Sequence, residues 1–171
     1  DSDDISREDR FKKLISHAKK HPEYSVIGSY TAEFEDDINH LTSVRELKQD
    51  YMEIKKQSKS RSPVSHVSVL LKKEAVIEVG NYMDFPLYED YHLWIRMLKE
   101  NYIFYNIPEI LVYVRTDANR YKRKGNNVYV KSTVKFQQYL KTIGYITSME
   151  YFININGRLF VAWVPAGLRK F

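Results

Sequence analysis

Cysteine is absent from this chain of 171 residues, and glycine and proline number only 6 and 5. Without cysteine there is no disulfide framework, no thiolate metal site and no cysteine nucleophile, which also fits a reducing compartment. The low glycine and proline content excludes a collagen-like fibre. Hydrophobic residues make up 43% of the chain, enough for a packed core and too many for a disordered tail.

Long hydrophobic runs are also missing. The longest nearly uncharged apolar stretch, residues 159–168, is far shorter than the roughly 20 residues that cross a bilayer. The sequence contains no G-x-S-x-G, no P-loop and no G-x-G-x-x-G motif. The sequence therefore gives no support to a serine hydrolase, a P-loop enzyme or a Rossmann dehydrogenase.

The net charge of +5 is unevenly distributed. Residues 1–114 have a balance of −4 and residues 115–171 a balance of +9, with tyrosine, phenylalanine and tryptophan interleaved in the basic part. Such a basic aromatic segment favours an anionic partner, which could be phosphate groups, an acidic membrane surface or nucleic acid. A solvated basic helical face is the plainer interpretation.

The spacing of apolar residues predicts a chain of mixed strands and helices, in one layered α/β or α+β domain. We expect a helix that is capped by Ser6 and stops at Pro22, a helical segment within 43–60, a helical turn at 73–79, a helix over 89–100, and mainly helix over 127–165. Strands are expected at 24–30 and 66–71, and at 102–107 and 110–115 on either side of Pro108.

Two acidic pairs are candidate sites. Asp1 and Asp3, separated by one residue, can direct two carboxylates at a hard divalent cation such as Mg²⁺ or Mn²⁺. Glu89 and Asp90 open a predicted helix, where acidic residues either simply stabilise the helix start or include a general base. Of the five histidines, only His66, at the head of an apolar segment, is a candidate site residue. The alternative is a structural histidine whose hydrogen bonds are satisfied within the core.

Taken in order, five segments resemble the second half of a family 2 glycosyltransferase with the GT-A fold. They are residues 1–6 (DSDDIS), 24–29 (YSVIGS), 66–82 (HVSVLLKKEAVIEVGNY), 88–96 (YEDYHLWIR) and 107–115 (IPEILVYVR). The resemblance covers residues 1 to about 115, and the segment at 88–96 is its most specific part. Val67 stands where relatives often have proline, and residues after 115 lack a clear family signature.

The resemblance implies a role for each candidate residue. Asp1 and Asp3 would form the D-x-D motif that binds Mn²⁺ or Mg²⁺, and Asp90 would be the general base, with Glu89 shaping the acceptor site. The nucleotide-sugar donor, expected to be a UDP-sugar, would be contacted by the residues Asp1, Asp4, His66, Arg120 and Arg123. The reaction implied is inverting transfer of the sugar to a glycan or a lipid-linked acceptor.

The resemblance also implies an organisation. We expect residues 1–115 to be the acceptor-side, catalytic half of a GT-A domain, an α/β unit with a mixed sheet flanked by helices. Residues 116–171 would form a basic, mainly helical extension. Because the chain opens at the D-x-D motif with no lead-in strand, we expect a nucleotide-binding half to precede Asp1 and the fragment alone to be inactive.

The natural setting is the synthesis of bacterial surface polysaccharide in the cytoplasm. The basic aromatic residues 160–171 could contact the inner face of the membrane, close to a lipid-linked acceptor. Two other classes stay open at this point. A nucleic-acid-binding module would use the basic C-terminal third, whereas a metal-dependent phosphotransferase or nuclease would use the same carboxylates.

Overall fold

The computed structural model describes residues 3–116 and 127–163, with the side chains of 127 and 159–163 excepted. Within these residues, a mixed sheet of five strands is flanked by helices. The predicted α/β class is confirmed. The strands are β1 (Ile5–Ser6), β2 (Tyr24–Phe34), β3 (Leu41–Arg45), β4 (Leu70–Leu71) and β5 (Ile103–Arg115).

Strand β2 is the centre of the sheet. It pairs in parallel with β5 on one edge, and antiparallel with β3 and β4 on the other. Strand β1 adds to the outer edge of β5 in antiparallel register. Val26 and Ile27 are adjacent in β2, face opposite sides of the sheet and are both buried, so both faces of the sheet are covered.

The two predicted strands around Pro108 are one strand with an interruption. Ser29 of β2 lies opposite Ile107, and the next residue, Tyr30, lies opposite Ile110. Pro108 and Glu109 are therefore passed over in the register. Proline has no N–H to donate to a sheet, and an irregularity of this kind accommodates it without ending the strand.

Six helices accompany the sheet in the described part of the chain. They are α1 (Arg10–Lys20), α2 (Tyr51–Gln57), α3 (Lys73–Glu78), α4 (Glu89–Lys99), α5 (Asn127–Thr142) and α6 (Ser148–Trp163). None of these helices is long and apolar enough to cross a membrane. The predicted helical character of 127–165 is confirmed for its described residues.

The predicted cap of α1 at Ser6 was wrong. Ser6 belongs to β1, and the helix begins at Arg10. The carboxylate of Asp9, expected to reach back to the cap, is instead held by Arg7, whose Nη2 donates to its Oδ2 at 2.6 Å. Arg7 also contacts Glu109 of β5 at 3.1 Å. The Asp9 carboxylate is therefore bound by Arg7, which also pairs with β5, and it makes no capping hydrogen bond to the helix.

The helix predicted within 43–60 is also shorter than expected. The first residues of that range belong to β3, and the helix begins only after Asp50. The Asp50 side chain accepts hydrogen bonds from the N–H groups of Met52 at 2.8 Å and Glu53 at 3.3 Å. This carboxylate satisfies free donors of the first turn and so sets the start of α2.

The strand predicted over 66–71 was wrong in its first half. Residues His66–Ser68 form a 3₁₀ turn, and only Leu70 and Leu71 pair with β2. The hydroxyl of Ser68 donates to the carbonyl of Ser29 and accepts from its N–H, both at 3.1 Å. This side chain fastens the turn to the sheet and leaves His66 exposed beside it.

Helix α4 lies at the centre of the packing. Leu93, Trp94 and Ile95 are fully buried, and seven of its eleven residues are buried. Trp94 packs edge-on against Phe104 of β5, with ring centroids 6.1 Å apart. On another side, Ile95 shares a cluster with Phe136 of α5. The helix therefore joins the sheet to the C-terminal helices.

We predict that Gly28→Ala destabilises the fold by about 1–3 kcal/mol, in the range of overpacking substitutions. A Cβ at position 28 would stand 2.3 Å from Oδ1 of Asn106. Asn106 cannot easily move, since its Nδ2 donates to the carbonyls of Lys48 at 2.7 Å and Pro63 at 3.1 Å. The free energy of unfolding from urea titration measures the effect.

The control is Gly157→Ala in α6, where an added Cβ meets nothing within 4 Å. Removal of a helical glycine should stabilise the protein there by about 0.5–1 kcal/mol. Equal stability of Gly28→Ala and the wild type would contradict the steric argument.

Candidate active site

Asp90 stands in the first turn of α4 and lines an open cleft of about 620 Å³. Its side chain is 38% exposed, and its Oδ2 lies 3.5 Å from Nδ1 of His66. The Tyr82 phenol is a second neighbour of this carboxylate. Burial, and then the negative charge of Asp90, raise the pKa of Tyr82, so this phenol stays a hydrogen-bond donor at neutral pH.

The loop that carries Tyr82 is held by the far end of the same helix. The Arg96 guanidinium donates to the carbonyls of Val79 and Asn81. Gly80 and Asn81 have φ values of +86° and +60°, so the backbone turns sharply directly before Tyr82. Arg96, the last residue of the 88–96 motif, therefore holds the loop that carries Tyr82 to Asp90.

Glu89 contacts the backbone before α4. Its Oε1 accepts a hydrogen bond from the N–H of Leu87 at 3.2 Å, and it is not among the residues that line the cleft. Leu87 has a φ of +69°, a conformation that costs energy for a leucine. The Glu89 carboxylate therefore supports the bend before α4, while its predicted role at the acceptor site stays a prediction.

The acidic N-terminal segment lies near the His66 turn. Asp3 is exposed in the turn before β1, and Oδ1 of Asp4 accepts a hydrogen bond from the N–H of Arg115 at 3.1 Å. The charge of Asp4 acts on Arg10, whose Nη2 donates to the carbonyl of Val67 at 2.6 Å. Arg10 therefore bridges the acidic segment to the turn that holds His66.

Three predicted site residues, Asp1, Arg120 and Arg123, lie outside the described residues. Within residues 3–116 and 127–163, no group of three histidine or acidic side chains is placed to hold a metal ion. The structure brings Asp90 and His66 together at one cleft, whereas Asp3 and Asp4 do not line that cleft.

The cleft is also lined by residues that the sequence reasoning missed: Arg45, Arg61, Arg158, Tyr88 and Tyr129. They come from β3, from the segment after α2, from α5 and α6, and from the residue before α4. No motif spacing joins positions so distant in the chain. The excess of basic and aromatic residues after 115 was a signal for two of them, Tyr129 and Arg158.

The described site is thus a carboxylate that lines a cleft with a histidine 3.5 Å away, in a mixed α/β fold. The chain matches the model of glycosyl transferase family group 2 over residues 1–165. It belongs to this family, which confirms the resemblance found in the sequence.

Three curated relatives are similar in sequence. The UDP-Gal:alpha-D-GlcNAc-diphosphoundecaprenol beta-1,3-galactosyltransferase of Escherichia coli is 33% identical over 171 residues, covering 100% of this chain and 62% of that protein. An uncharacterized glycosyltransferase of Haemophilus influenzae is 37% identical over 124 residues, 72% of this chain and 46% of that protein. The amylovoran biosynthesis glycosyltransferase AmsE of Erwinia amylovora is 32% identical over 157 residues, 90% of this chain and 58% of that protein.

The chain thus spans about half to three-fifths of the length of these relatives. All three names are those of glycosyltransferases, and none of them favours the nucleic-acid-binding or nuclease alternatives.

Buried His92, two residues after Asp90, predicts a pH-dependent stability. Its ring packs between Phe85 and Tyr139, and burial, followed by the charge of Arg96, lowers its pKa from 6.5 to about 4. At a pH between these two pKa values, the His92 side chain is protonated in the unfolded chain and neutral in the folded one. Stability should therefore fall as the pH drops from 6.5 towards 4, by on the order of 2 kcal/mol.

The measurement is urea unfolding at pH 7 and at pH 5, on the wild type and on His92→Phe. The phenylalanine keeps an aromatic ring between the same neighbours and takes up no proton. The variant should lose less stability on acidification than the wild type. The same loss in both proteins would contradict the assignment to His92.

Proposed function

We propose that this chain is the acceptor-side, catalytic part of an inverting glycosyltransferase that moves a sugar from a nucleotide-sugar donor to a glycan or lipid-linked acceptor. The observation that carries the proposal is Asp90, which meets His66 at 3.5 Å in a cleft of about 620 Å³ in a member of this family. The cleft has the volume of a site for a sugar-sized ligand.

Asp90 is the general base of the proposed reaction. It accepts the proton of the acceptor hydroxyl while that oxygen attacks the anomeric carbon of the donor sugar. The bond from this carbon to the diphosphate oxygen breaks on the opposite face, and the nucleoside diphosphate leaves with the bonding electrons. One displacement inverts the configuration. His66 and Tyr82 hold the Asp90 carboxylate in place.

The metal of the proposal is Mn²⁺ or Mg²⁺, held by Asp3 together with Asp1. Asp3 is exposed, and its oxygen ligands suit a hard cation that takes one or two carboxylates and completes its shell with phosphate oxygens and water. When bound, such an ion neutralises charge on the diphosphate leaving group. Asp4 contributes by fixing the acidic segment to the N–H of Arg115 at the end of β5.

The relatives guide the choice of substrates. The Escherichia coli relative is named for a UDP-sugar donor and a sugar linked by diphosphate to undecaprenol, and the Erwinia amylovora relative for the synthesis of amylovoran. For this chain we propose a UDP-sugar donor, a lipid-linked acceptor and a role in bacterial surface polysaccharide synthesis. His66, and Arg120 and Arg123 from outside the described residues, are proposed to contact the donor.

Peripheral contact with the inner leaflet through residues 160–171 belongs to the same proposal. Replacing Arg169 and Lys170 with glutamine should weaken binding of the whole protein to vesicles that contain anionic lipid. Each basic residue contributes about 1 kcal/mol to the free energy of binding to such a surface. Cosedimentation measures it, and unchanged binding would contradict the contact.

Asp90→Asn should lower kcat by about 10²–10⁴-fold, the usual contribution of general base catalysis, with little change in KM. The assay uses the whole protein, Mn²⁺, a panel of nucleotide sugars and an alkyl-diphospho-sugar acceptor, and it measures release of nucleoside diphosphate. The matched control is Asp84→Asn, an exposed aspartate in the loop before α4, which should keep wild-type turnover.

Two results would contradict different parts of the proposal. Wild-type turnover by Asp90→Asn would show that another group is the base. A wild-type protein that transfers no sugar from any donor to any acceptor would contradict the function itself. Thermal unfolding of both variants verifies that a loss of turnover is not a loss of fold.

A further inference from the structure

Two arginines from different parts of the chain line the cleft of Asp90. Arg61 follows α2 in the sequence, and Arg158 belongs to α6. Both line the same cleft as Asp90 and His66. An acceptor that presents a hydroxyl to Asp90 therefore enters a cleft that two guanidinium groups also line.

The backbone beneath these arginines is held at several points. The hydroxyl of Tyr91 donates to the carbonyl of Ser58 at 2.7 Å, and Nδ2 of Asn154 donates to the carbonyl of Lys59 at 2.8 Å. Lys59 also pairs with Glu150 at 2.8 Å. Helices α4 and α6 thus hold the segment 58–61 from two sides, and the position of Arg61 is determined before a ligand binds.

The charges of the two arginines are not neutralised within the described part of the chain. Arg158 donates to two uncharged groups, the carbonyl of Ser60 and, at 3.4 Å, the hydroxyl of Tyr88. Among the described residues, no carboxylate forms an ion pair with Arg61 or Arg158. Two guanidinium groups that form no ion pair among the described residues, in one cleft, suit an anionic ligand.

Carboxylates line the cleft as well, and among the described residues none of them forms an ion pair with Arg61 or Arg158. Glu33 and Glu46 line the cleft from the β2 and β3 side, where Arg45 also lies. Arg45 donates to the carbonyls of Ser62 at 3.0 Å and Val64 at 3.4 Å.

The positive charges also reach the floor of the cleft. Burial raises the pKa of Tyr91, whereas the charges of Arg158 and Arg61 act in the opposite direction. Both guanidinium groups therefore lie close enough to act electrostatically on the buried Tyr91 phenol, which joins α4 to the segment 58–61.

We propose that Arg61 and Arg158 form a subsite for a phosphate or diphosphate group of the acceptor. The inference rests on the proposed function, because it places the acceptor hydroxyl at Asp90. Guanidinium groups bind phosphate oxygens through paired, charge-assisted hydrogen bonds. The donor diphosphate is the other possible source of the anion, and the binding test separates the two. We assign the arginines to the acceptor because they line the cleft with Asp90, which receives the acceptor hydroxyl, whereas the proposed metal ligand Asp3 is not among the lining residues.

The test measures binding without turnover, on the whole protein. The probes are a short-chain alkyl diphosphate ester of N-acetylglucosamine, the neutral alkyl glycoside of the same sugar, and a nucleoside diphosphate with Mn²⁺. Isothermal titration gives the Kd of each probe for the wild type, Arg61→Gln and Arg158→Gln. Lys56→Gln removes one positive charge from the exposed face of α2 and is the matched control.

Each arginine variant should weaken binding of the diphosphate ester by about tenfold or more, the effect of losing a charge-assisted hydrogen bond. The neutral glycoside and the nucleoside diphosphate should bind with Kd values within about twofold of wild type, and Lys56→Gln should bind all three probes normally. Arg158→Lys, which keeps the charge, should recover part of the affinity.

Three results would overturn the inference. An equal loss for the neutral glycoside would mean that the arginines only support the fold. A loss confined to the nucleoside diphosphate would place them at the donor. Wild-type affinity of both variants for the diphosphate ester would show that they bind neither. Failure of the proposed function is seen separately, as absence of sugar transfer by a wild-type protein whose binding still depends on the two arginines.

Discussion

The burial of helix α4 is the interaction on which the rest of the structure depends. Trp94 and its neighbours fill the space between the sheet and the C-terminal helices, and each fully buried side chain of this size contributes about 1.5–3 kcal/mol. Only the ends of the helix are free to do chemistry. Its first turn presents Asp90 to the cleft, and its last turn supplies Arg96, which holds the loop before it. The carboxylate therefore stands on a rigid support.

The cleft in front of Asp90 is assembled from short segments that have little structure of their own. The His66 turn is attached to β2 through the hydroxyl of Ser68. The segment 58–61 is attached to α4 and α6 through Tyr91 and Asn154. Because such segments bury little apolar surface, a few hydrogen bonds to buried elements determine where they lie. The site is thus as rigid as the elements to which these segments are tied.

The two sides of the site differ in charge, and this difference is consistent with a transfer between two substrates. Carboxylates occupy the N-terminal edge and the start of α4, where the proposed reaction needs a cation and a proton acceptor. Arginines occupy the side formed by the segment after α2 and by α6. The C-terminal helices therefore contribute to the site as well as to the core, since Arg158 and Tyr129 line the same cleft as Asp90.

Much of the architecture was predictable because local patterns carried it. The helical spacing at 89–100, the acidic pair at its start and the strand at 24–30 were predicted from apolar periodicity and end signals, and the order of five motifs pointed to the family. The predictions that were wrong, at Ser6 and in the first half of 66–71, concern segments whose polar groups find partners far along the chain. Arg7 with Glu109, and Ser68 with Ser29, are pairs that no local window contains.

The sequence by itself determined the class of fold, the family and the two acidic pairs, since these depend on periodicity and on residues close together in the chain. The tertiary structure alone decided which side chains share the cleft. It brought His66 to Asp90, turned Glu89 towards the backbone of Leu87, and placed Arg61 beside Arg158, which lies 97 positions further along. Such pairings follow from how buried surfaces pack, and sequence spacing carries no record of them.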